Sequence, residues 1–204
     1  MTDVYLALAL VGVMMPSLII HEIAHAWTAD FFGDPTARRA GRITLNPLKH
    51  MDPIGTVVLP VALALVAPFV IGFAKPVPVV PTNLRRPRLH SLLVALAGPG
   101  SNFALAAAAM LVFQIVRPER EAVLWYVLAL TAVVNVVLGL FNMLPIPPLD
   151  GSAIIEFAIP MRWRPAWYRV RMFGFFILLG VFLMFRSALD PIFEWAIRLW
   201  QVQQ

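Results

Sequence analysis

The chain has 204 residues, of which 60% are hydrophobic and 13% are charged. A soluble domain contains about 45–50% apolar and about 25% charged residues, so this chain has too few charges to cover a soluble globular surface. Disorder is excluded as well, because disordered chains combine low hydrophobicity with high charge. The formal net charge of +5 does not indicate nucleic-acid binding, since basic residues also anchor membrane proteins at the cytoplasmic leaflet.

Charge-free segments that are long enough to cross a bilayer recur along the chain. A spanning helix needs about 20 mainly apolar residues. Segments of this kind, or somewhat shorter, cover residues 4–20, 53–74, 91–116, 122–149 and 172–185. We therefore predict an all-α polytopic membrane protein with about four to six transmembrane helices. The chain is expected to form a single integral-membrane domain over 1–204, with a core at 4–155 and accessory C-terminal helices at 156–204.

The basic residues predict how these segments are arranged. The polar loops at 30–52 and 75–90 contain four Lys or Arg residues each, and a third cluster of four Arg residues lies at 162–171. If residues 53–74 crossed the membrane once, the two loops would lie on opposite faces, which the positive-inside tendency disfavours. We therefore favour a re-entrant segment at 53–74, broken by its internal prolines. The alternative is an ordinary span whose following proline-rich loop returns through the protein.

A small β element is predicted at the membrane surface. Residues 41–47 alternate like a strand and end in an Asn-Pro turn dipeptide. Residues 75–81 are extended by their prolines, which confine such a strand to the edge of a sheet. The two segments are therefore expected to pair.

The first apolar helix runs directly into His21-Glu22-Ile23-Ala24-His25. Residues four apart lie on one face of a helix, so both imidazoles could occupy two corners of a tetrahedral zinc site. Glu22 would then lie where it can take a proton from the attacking water without being a ligand. Burying these groups in an apolar helix is costly unless they are paired or bind a metal. The alternatives are a polar cluster with satisfied hydrogen bonds and a proton relay.

A third metal ligand is needed for a hydrolytic zinc site, which usually has three protein ligands and one open position. The chain contains no cysteine, so this ligand must be a His, Asp or Glu. Asp150 is the leading candidate, because it ends the charge-free run 122–149 within Pro-Ile-Pro-Pro-Leu-Asp-Gly. The prolines prevent a regular helix, and Gly151 allows tight backbone geometry. The alternative is that Asp150 caps the following helix.

Three further polar residues are weaker candidates. His50 and Asp52 border the apolar segment 53–74, where they could form a second metal site or a gate, or simply mark a polar boundary at the interface. Glu156 follows Asp150 by less than two helical turns and could support a metal ligand by a hydrogen bond, without itself binding the metal. Its alternatives are a solvated face and a pairing with arginine.

Together these motifs resemble the site-2 protease family of intramembrane metalloproteases. The His-Glu-x-x-His helix at 21–25, a Gly-Pro-x-x-Asn motif at 98–102, an Asn-x-x-Pro element at 142–145 and the Asp-Gly motif ending at 151 follow the family's order. The stretches 41–56 and 72–87 further resemble the compact bacterial branch that lacks a PDZ domain. The chain departs from the family in having no spanning helix before the His motif and in the additional apolar segment.

The resemblance implies one zinc ion per chain, held by His21, His25 and Asp150, with Glu22 as the catalytic base. It also implies that Asn102 and Asn142 lie near the substrate, where Asn102 could stabilise an oxyanion. The alternative role for Asn102 is a hydrogen bond between helices. The implied activity is hydrolysis of peptide bonds within or near the transmembrane helices of other membrane proteins.

These predictions define the expected setting and its rivals. The protein is expected to be multi-pass in the cell membrane, with the active site toward the cytoplasmic side. Its expected partners are transmembrane protein substrates and the lipid bilayer; no nucleic acid is expected, and nothing in the sequence indicates a homo-oligomer. The rival functions are a transporter or proton relay that uses the embedded His, Glu and Asp residues, and a non-catalytic membrane scaffold. No paired half-helices or repeats, typical of transporters, are visible in the sequence.

Overall fold

The computed structural model describes residues 3–52, 75–120 and 122–184, and this part of the protein is helical, as predicted. Short 3-10 turns lie in the connections at Pro47–Lys49, Pro81–Asn83 and Met161–Trp163. The α-helices are α1 (Asp3–Phe31), α2 (Thr36–Arg39), α3 (Pro87–Val116), α4 (Val123–Asn142), α5 (Ser152–Ala158), α6 (Arg164–Met172) and α7 (Gly174–Met184).

Three helices in the described residues are long and apolar enough to cross a membrane. They are Leu8–Phe31 within α1, and α3 and α4 over their full lengths. Helix α7 is also apolar, but it is described only as far as Met184. The total of four to six spans therefore stays a prediction, as do the single domain and its boundaries.

Helices α3 and α4 pack closely because small residues line their contact. Ala106, Ala109 and Ala132 are buried, and Leu128 packs among them. Small side chains let helix backbones approach one another, which gives dispersion contacts where lipid removes the hydrophobic advantage of burial. Large apolar side chains on the same helices, such as Ile115 at 72% exposure, point outward, as expected for surfaces that face lipid.

The three long helices alternate in direction. Asn102 of α3 contacts both His21 of α1 and Asn135 of α4, and His25 contacts Val94 of α3. Moving forward along α1 thus corresponds to moving backward along α3, so these two helices are antiparallel. The end of α1, the start of α3 and the end of α4 consequently meet at one end of the bundle, which is where the polar residues converge.

The predicted β element is not found in the described residues, where neither 41–47 nor 75–81 forms a strand. The reason lies in the backbone donors. Pro76 and Pro78 have no N–H group, and the amides of Lys75, Val77 and Val80 donate to His50 O, the Glu22 carboxylate and the Asp34 carboxylate, respectively. We call residues 75–80 the strap. The re-entrant segment predicted at 53–74 lies outside the described residues.

Candidate metal centre and active site

Three potential metal ligands converge where the ends of the helices meet. His21 and His25 lie one turn apart on α1, and their Nε2 atoms are 3.0 Å apart. The Oδ2 atom of Asp150 lies 3.1 Å from the Nε2 of His21 and 3.4 Å from that of His25. Ligands at zinc distances of about 2.0–2.1 Å in a tetrahedron are separated by about 3.3 Å. The spacing of the three atoms therefore matches three corners of such a site.

The protonation of the two histidines makes this cluster suitable for a cation. The Nδ1 of His21 lies 2.6 Å from Asn102 Oδ1, and the Nδ1 of His25 lies 2.7 Å from Val94 O. Both partners are oxygen acceptors, so each Nδ1 must carry the proton in a neutral ring. The two Nε2 atoms then face each other with lone pairs, an arrangement that a bound metal ion would stabilise.

The Asp150 carboxylate supports the same assignment. Its Oδ2 is buried and has no hydrogen-bond partner among the described residues. The 3.1 Å distance to the Nε2 of His21 therefore separates a carboxylate oxygen from a nitrogen lone pair without hydrogen-bond geometry, which is expected when both atoms point toward a common centre. A buried carboxylate oxygen without a partner is costly, and a divalent cation would satisfy it. The donor set of two imidazoles and one carboxylate fits zinc.

Asp150 is positioned by a tight turn after α4. The Gly151 N–H donates to Asn142 O at 2.7 Å, and a Cβ atom at Gly151 would collide with the backbone carbonyl of Met143. This turn also contains a cis peptide bond between Pro147 and Pro148. Gly151 occupies the N-cap of α5, and no side chain caps that helix. The alternative role of Asp150 as a helix cap is therefore not observed.

Gly98 allows α3 to approach the two imidazoles. A Cβ atom at this position would lie 2.6 Å from Cε1 of His21 and closer still to the His25 ring. Any larger residue would have to displace a potential metal ligand. The Gly-Pro-x-x-Asn motif thus contributes both the space for the histidine rings, at Gly98, and a partner for one of them, at Asn102.

Glu22 lies beside the metal cluster in the same cavity. This cavity has a volume of about 390 Å³, and its lining includes Glu22, His25, Asp150 and Val77. The Oε2 atom of Glu22 accepts a hydrogen bond of 3.2 Å from the Val77 N–H of the strap. The carboxylate is therefore oriented by a backbone amide and faces the space in which a substrate would meet the metal ligands.

The strap is held at both ends by buried charged side chains that the sequence did not single out as site residues. Arg42 is only 4% exposed, and its guanidinium donates to the carbonyls of Lys49, Lys75 and Pro76. The sequence indicated Arg42 simply as one of several basic loop residues. Its position just after Gly41, in a loop with few other anchors, is the weak signal that was available.

Asp34 anchors the other end of the strap. It is fully buried and accepts hydrogen bonds from the Val80 N–H at 2.6 Å, from Asn83 Nδ2 at 3.0 Å, and from both the N–H and the hydroxyl of Thr36. Burial alone would raise the pKa of this carboxyl group, but the hydrogen bonds outweigh it and hold the pKa below its ordinary value. The ionised carboxylate therefore stabilises the loop.

Asn102 has a different position from the one expected of a substrate-binding residue. It is fully buried, its Oδ1 faces His21, and its Nδ2 donates to Asn135 Oδ1 at 2.8 Å. This geometry corresponds to the alternative interhelical hydrogen bond, and the substrate role of Asn102 stays a prediction. Asn142 donates to Leu138 O of its own helix at 3.0 Å, and its expected place near the substrate likewise stays a prediction.

The weaker candidates lie apart from the potential metal cluster, which in the described residues comprises His21, His25 and Asp150. His50 is buried, and its Nε2 lies 2.8 Å from Thr44 O. Asp52 is half-buried in the same loop. These placements show a loop contact for His50 and do not test a gate for either residue.

Glu156 lines the outer part of the cavity. Its carboxylate accepts a hydrogen bond of 3.1 Å from the Tyr168 hydroxyl and pairs with Arg171 at 2.5 Å. The predicted alternative of an arginine partner is thus observed, and the interaction joins α5 to α6. No hydrogen bond from Glu156 to a metal-ligand candidate is found in the described part of the chain.

Sequence comparisons place this site in a known group of proteins. Residues 117–185 match the model of peptidase family M50. The chain is 39% identical over 181 residues to "Putative zinc metalloprotease YwhC" of Bacillus subtilis, covering 85% of this chain and 80% of the relative. It is 34% identical over 183 residues to "Putative zinc metalloprotease Rip2" of Mycolicibacterium smegmatis, covering 90% of this chain and 68% of the relative.

A Mycobacterium tuberculosis protein of the same name is 33% identical over 167 residues, which covers 82% of this chain and 63% of the relative. No solved structure matches the chain. The extent of the similarity to these relatives, together with apolar helices that surround the His, His and Asp cluster, confirms the resemblance seen in the motifs. The chain is a membrane protein that belongs to peptidase family M50, the site-2 protease family of metalloproteases.

Proposed function

We propose that the protein is an intramembrane zinc endopeptidase that hydrolyses peptide bonds within or near the transmembrane helices of other membrane proteins. The observation that carries this proposal is the convergence of two Nε2 atoms and one carboxylate oxygen within 4.8 Å of one another, beside Glu22 in the same cavity. His21, His25 and Asp150 would hold one zinc ion per chain. Bound zinc supplies the Lewis acidity that activates water and polarises a peptide carbonyl.

Glu22 is the proposed general base. Its carboxylate lies in the cavity without being one of the three converging ligands, so it is available to accept a proton from the attacking water. It can then deliver that proton to the leaving amide nitrogen. The Val77 N–H holds one carboxylate oxygen, which leaves the other oxygen for proton transfer.

The location of the cavity supports the proposed substrate class. His21 and His25 lie on a helix that can span a membrane, Asp150 lies in the turn after another such helix, and the cavity opens beside the strap and α3. A substrate helix conceals its amides in internal hydrogen bonds, so it must unwind locally before its carbonyl can reach Glu22. We therefore propose transmembrane proteins as substrates and the lipid bilayer as the medium from which they enter.

The proposed topology places the active site toward the cytoplasmic side of the cell membrane. The basic loops at 30–52 and 75–90 lie at the same end of the helix bundle as the metal cluster, because they connect the end of α1 to the start of α3. Their inner ends are joined by the hydrogen bond from Lys75 N–H to His50 O. Because the chain has no cysteine, a cysteine introduced at Arg39 should react with an impermeant reagent only from the cytoplasmic side.

The experiment that tests the proposed function compares zinc content and cleavage of a model transmembrane substrate. Wild-type protein should bind one zinc ion and cleave. Glu22→Gln should keep zinc and lose cleavage by about 10²–10⁴-fold, since general-base catalysis contributes that much. Asp150→Asn should lose both zinc and cleavage. Glu119→Gln, at an exposed residue beyond the other end of α3, is the matched control and should leave both unchanged. Full cleavage by Glu22→Gln would contradict the role of Glu22 as general base, whereas wild-type protein that binds zinc and does not cleave would favour the scaffold.

A further inference from the structure

A chain of buried polar side chains runs behind the metal cluster through three helices. Asn102 and Asn135 are both fully buried, at 0% exposure. Asn102 Nδ2 donates to Asn135 Oδ1 at 2.8 Å, and Asn135 Nδ2 donates to Ser17 Oγ at 2.9 Å. Ser17 lies on α1, one turn before His21, so the chain starts and ends on the same helix. Amides inside apolar helices are costly unless every donor and acceptor is paired.

Backbone carbonyls at the far end of this row of hydrogen bonds determine which side-chain groups donate and which accept. Asn135 Nδ2 also donates to Thr131 O at 2.9 Å, and the Ser17 hydroxyl donates to Val13 O at 2.8 Å. Carbonyl oxygens accept hydrogen bonds and cannot donate. The Ser17 oxygen must therefore accept from Asn135, and the NH₂ group of Asn135 must point toward Ser17 and Thr131. Its Oδ1 consequently points toward Asn102.

The orientation of Asn135 also determines which ring nitrogen of His21 carries the proton. Because Asn135 presents an oxygen, Asn102 must turn its NH₂ group toward Asn135 and its Oδ1 toward His21, at 2.6 Å from Nδ1. His21 then carries its proton on Nδ1, and the lone pair of Nε2 faces His25 and Asp150. If Asn102 were rotated by half a turn, its NH₂ group would donate to Nδ1. The proton would move to Nε2 and occupy the position of the metal.

We propose that Asn135 is a positioning residue that selects the metal-binding tautomer of His21 through Asn102. This inference rests on the proposed zinc site. It distinguishes the two histidines, because the Nδ1 of His25 donates directly to the backbone carbonyl of Val94, whereas His21 depends on side chains that can rotate. Hydrogen-bond partners of metal-bound histidines typically contribute about 10–100-fold to metal affinity or activity.

The test measures the tautomer of His21 and the affinity for zinc in separate experiments. The chain contains four histidines, so nitrogen-15 histidine spectra of metal-free protein can be assigned with a His21→Gln variant. In wild type, His21 should be protonated at Nδ1. In Asn135→Leu, a large fraction should shift to Nε2, while His25 should keep its tautomer. Zinc affinity, measured by competition with a chromophoric chelator, should fall about tenfold.

Three further variants keep the test decisive. Thr131→Val keeps the backbone carbonyl that accepts from Asn135 and removes only the hydroxyl, which donates to Val127 O on the same helix. The variant should therefore change neither measurement. Asn135→Asp keeps the oxygen that accepts from Asn102, so it should restore most of the Nδ1 tautomer. If Asn135→Leu does not fold, Ser17→Ala, which removes one acceptor of Asn135, takes its place and should shift the tautomer in the same direction by a smaller amount.

The outcomes separate this inference from the proposed function. An unchanged His21 tautomer and unchanged zinc affinity in a folded Asn135→Leu variant would overturn the positioning role. An equal loss in Thr131→Val would show a general packing effect and would also overturn it. If His21→Gln bound zinc as tightly as wild type, the proposed metal site itself would fail, whatever the behaviour of Asn135.

Discussion

The two sides of the active-site cavity are held in place by different physical means. On the helical side, His21 and His25 are oriented by an amide oxygen and a backbone carbonyl, all of them buried and uncharged. On the strap side, the chain is anchored by the guanidinium of Arg42 and the carboxylate of Asp34. An unpaired charge is far more costly in a membrane than at its surface, so neutral hydrogen bonds and close packing support the embedded side.

This difference predicts two classes of defect. Changes on the helical side should disturb the geometry of the ligands and therefore lower metal affinity. Changes on the strap side should leave the ligands in place, but they should disturb the Val77 amide that contacts Glu22 and thereby lower turnover or stability. The two sides can be separated by measuring zinc content and cleavage on the same variants.

The largest effect is expected for Gly98→Ala on the helical side. The added Cβ atom would lie 2.6 Å from Cε1 of His21 and nearer to His25, so α3 or a ligand must move. Zinc affinity should fall by about 10–100-fold, together with cleavage. Gly100→Ala is the matched control, because a Cβ atom there meets nothing within 4 Å and alanine favours the helix. Equal zinc affinity in the two variants would refute the close-packing argument.

A smaller effect, confined to catalysis, is expected for Arg42→Met. The change removes the guanidinium that holds the carbonyls of Lys49, Lys75 and Pro76. Hydrogen bonds to charged groups contribute about 1.5–3 kcal/mol, so the strap should loosen, and cleavage should fall about tenfold while zinc content stays constant. Arg39→Met, at an exposed residue of the same loop, should match wild type. Loss of zinc from Arg42→Met would show that the two sides are not separate.

The smallest effect is expected for Asp34→Asn, as a change in stability with pH. The pKa of Asp34 lies below its ordinary value of 3.8, so the ionised carboxylate stabilises the fold above that pH. This contribution is lost as the pH falls through the lower pKa of the folded state. At pH 7 the variant should be less stable by about 1–2 kcal/mol, and the difference should shrink below about pH 4.

Thermal unfolding in detergent at several pH values measures this difference. Glu119→Gln serves as the comparison, because Glu119 is exposed and the charge interactions of exposed carboxylates contribute little. A difference between wild type and Asp34→Asn that stayed constant down to pH 2 would contradict the role assigned to the ionised carboxylate.

The potential metal ligands were predictable because their signals are local. His21 and His25 share one helical face through a spacing of four residues, and Asp150 interrupts an apolar run in which an unpaired carboxylate would be costly. The helical class was also predictable, because charge-free apolar segments of about 20 residues indicate membrane-spanning helices. The β element was predicted wrongly for the described residues: alternation and prolines indicated extended chain, but the donors of the strap pair with side chains from distant parts of the sequence.

The sequence by itself determined that the chain belongs in a membrane and which residues could hold a metal, because hydropathy and helical spacing act over a few residues. Only the tertiary structure decided the roles of Asn102, Asn135, Arg42 and Asp34. The contacts of these residues join positions up to 118 residues apart, and a buried amide or guanidinium takes its role from the partner that satisfies it. The packing of the helices, and the position of the strap beside the end of α1, bring that partner within reach.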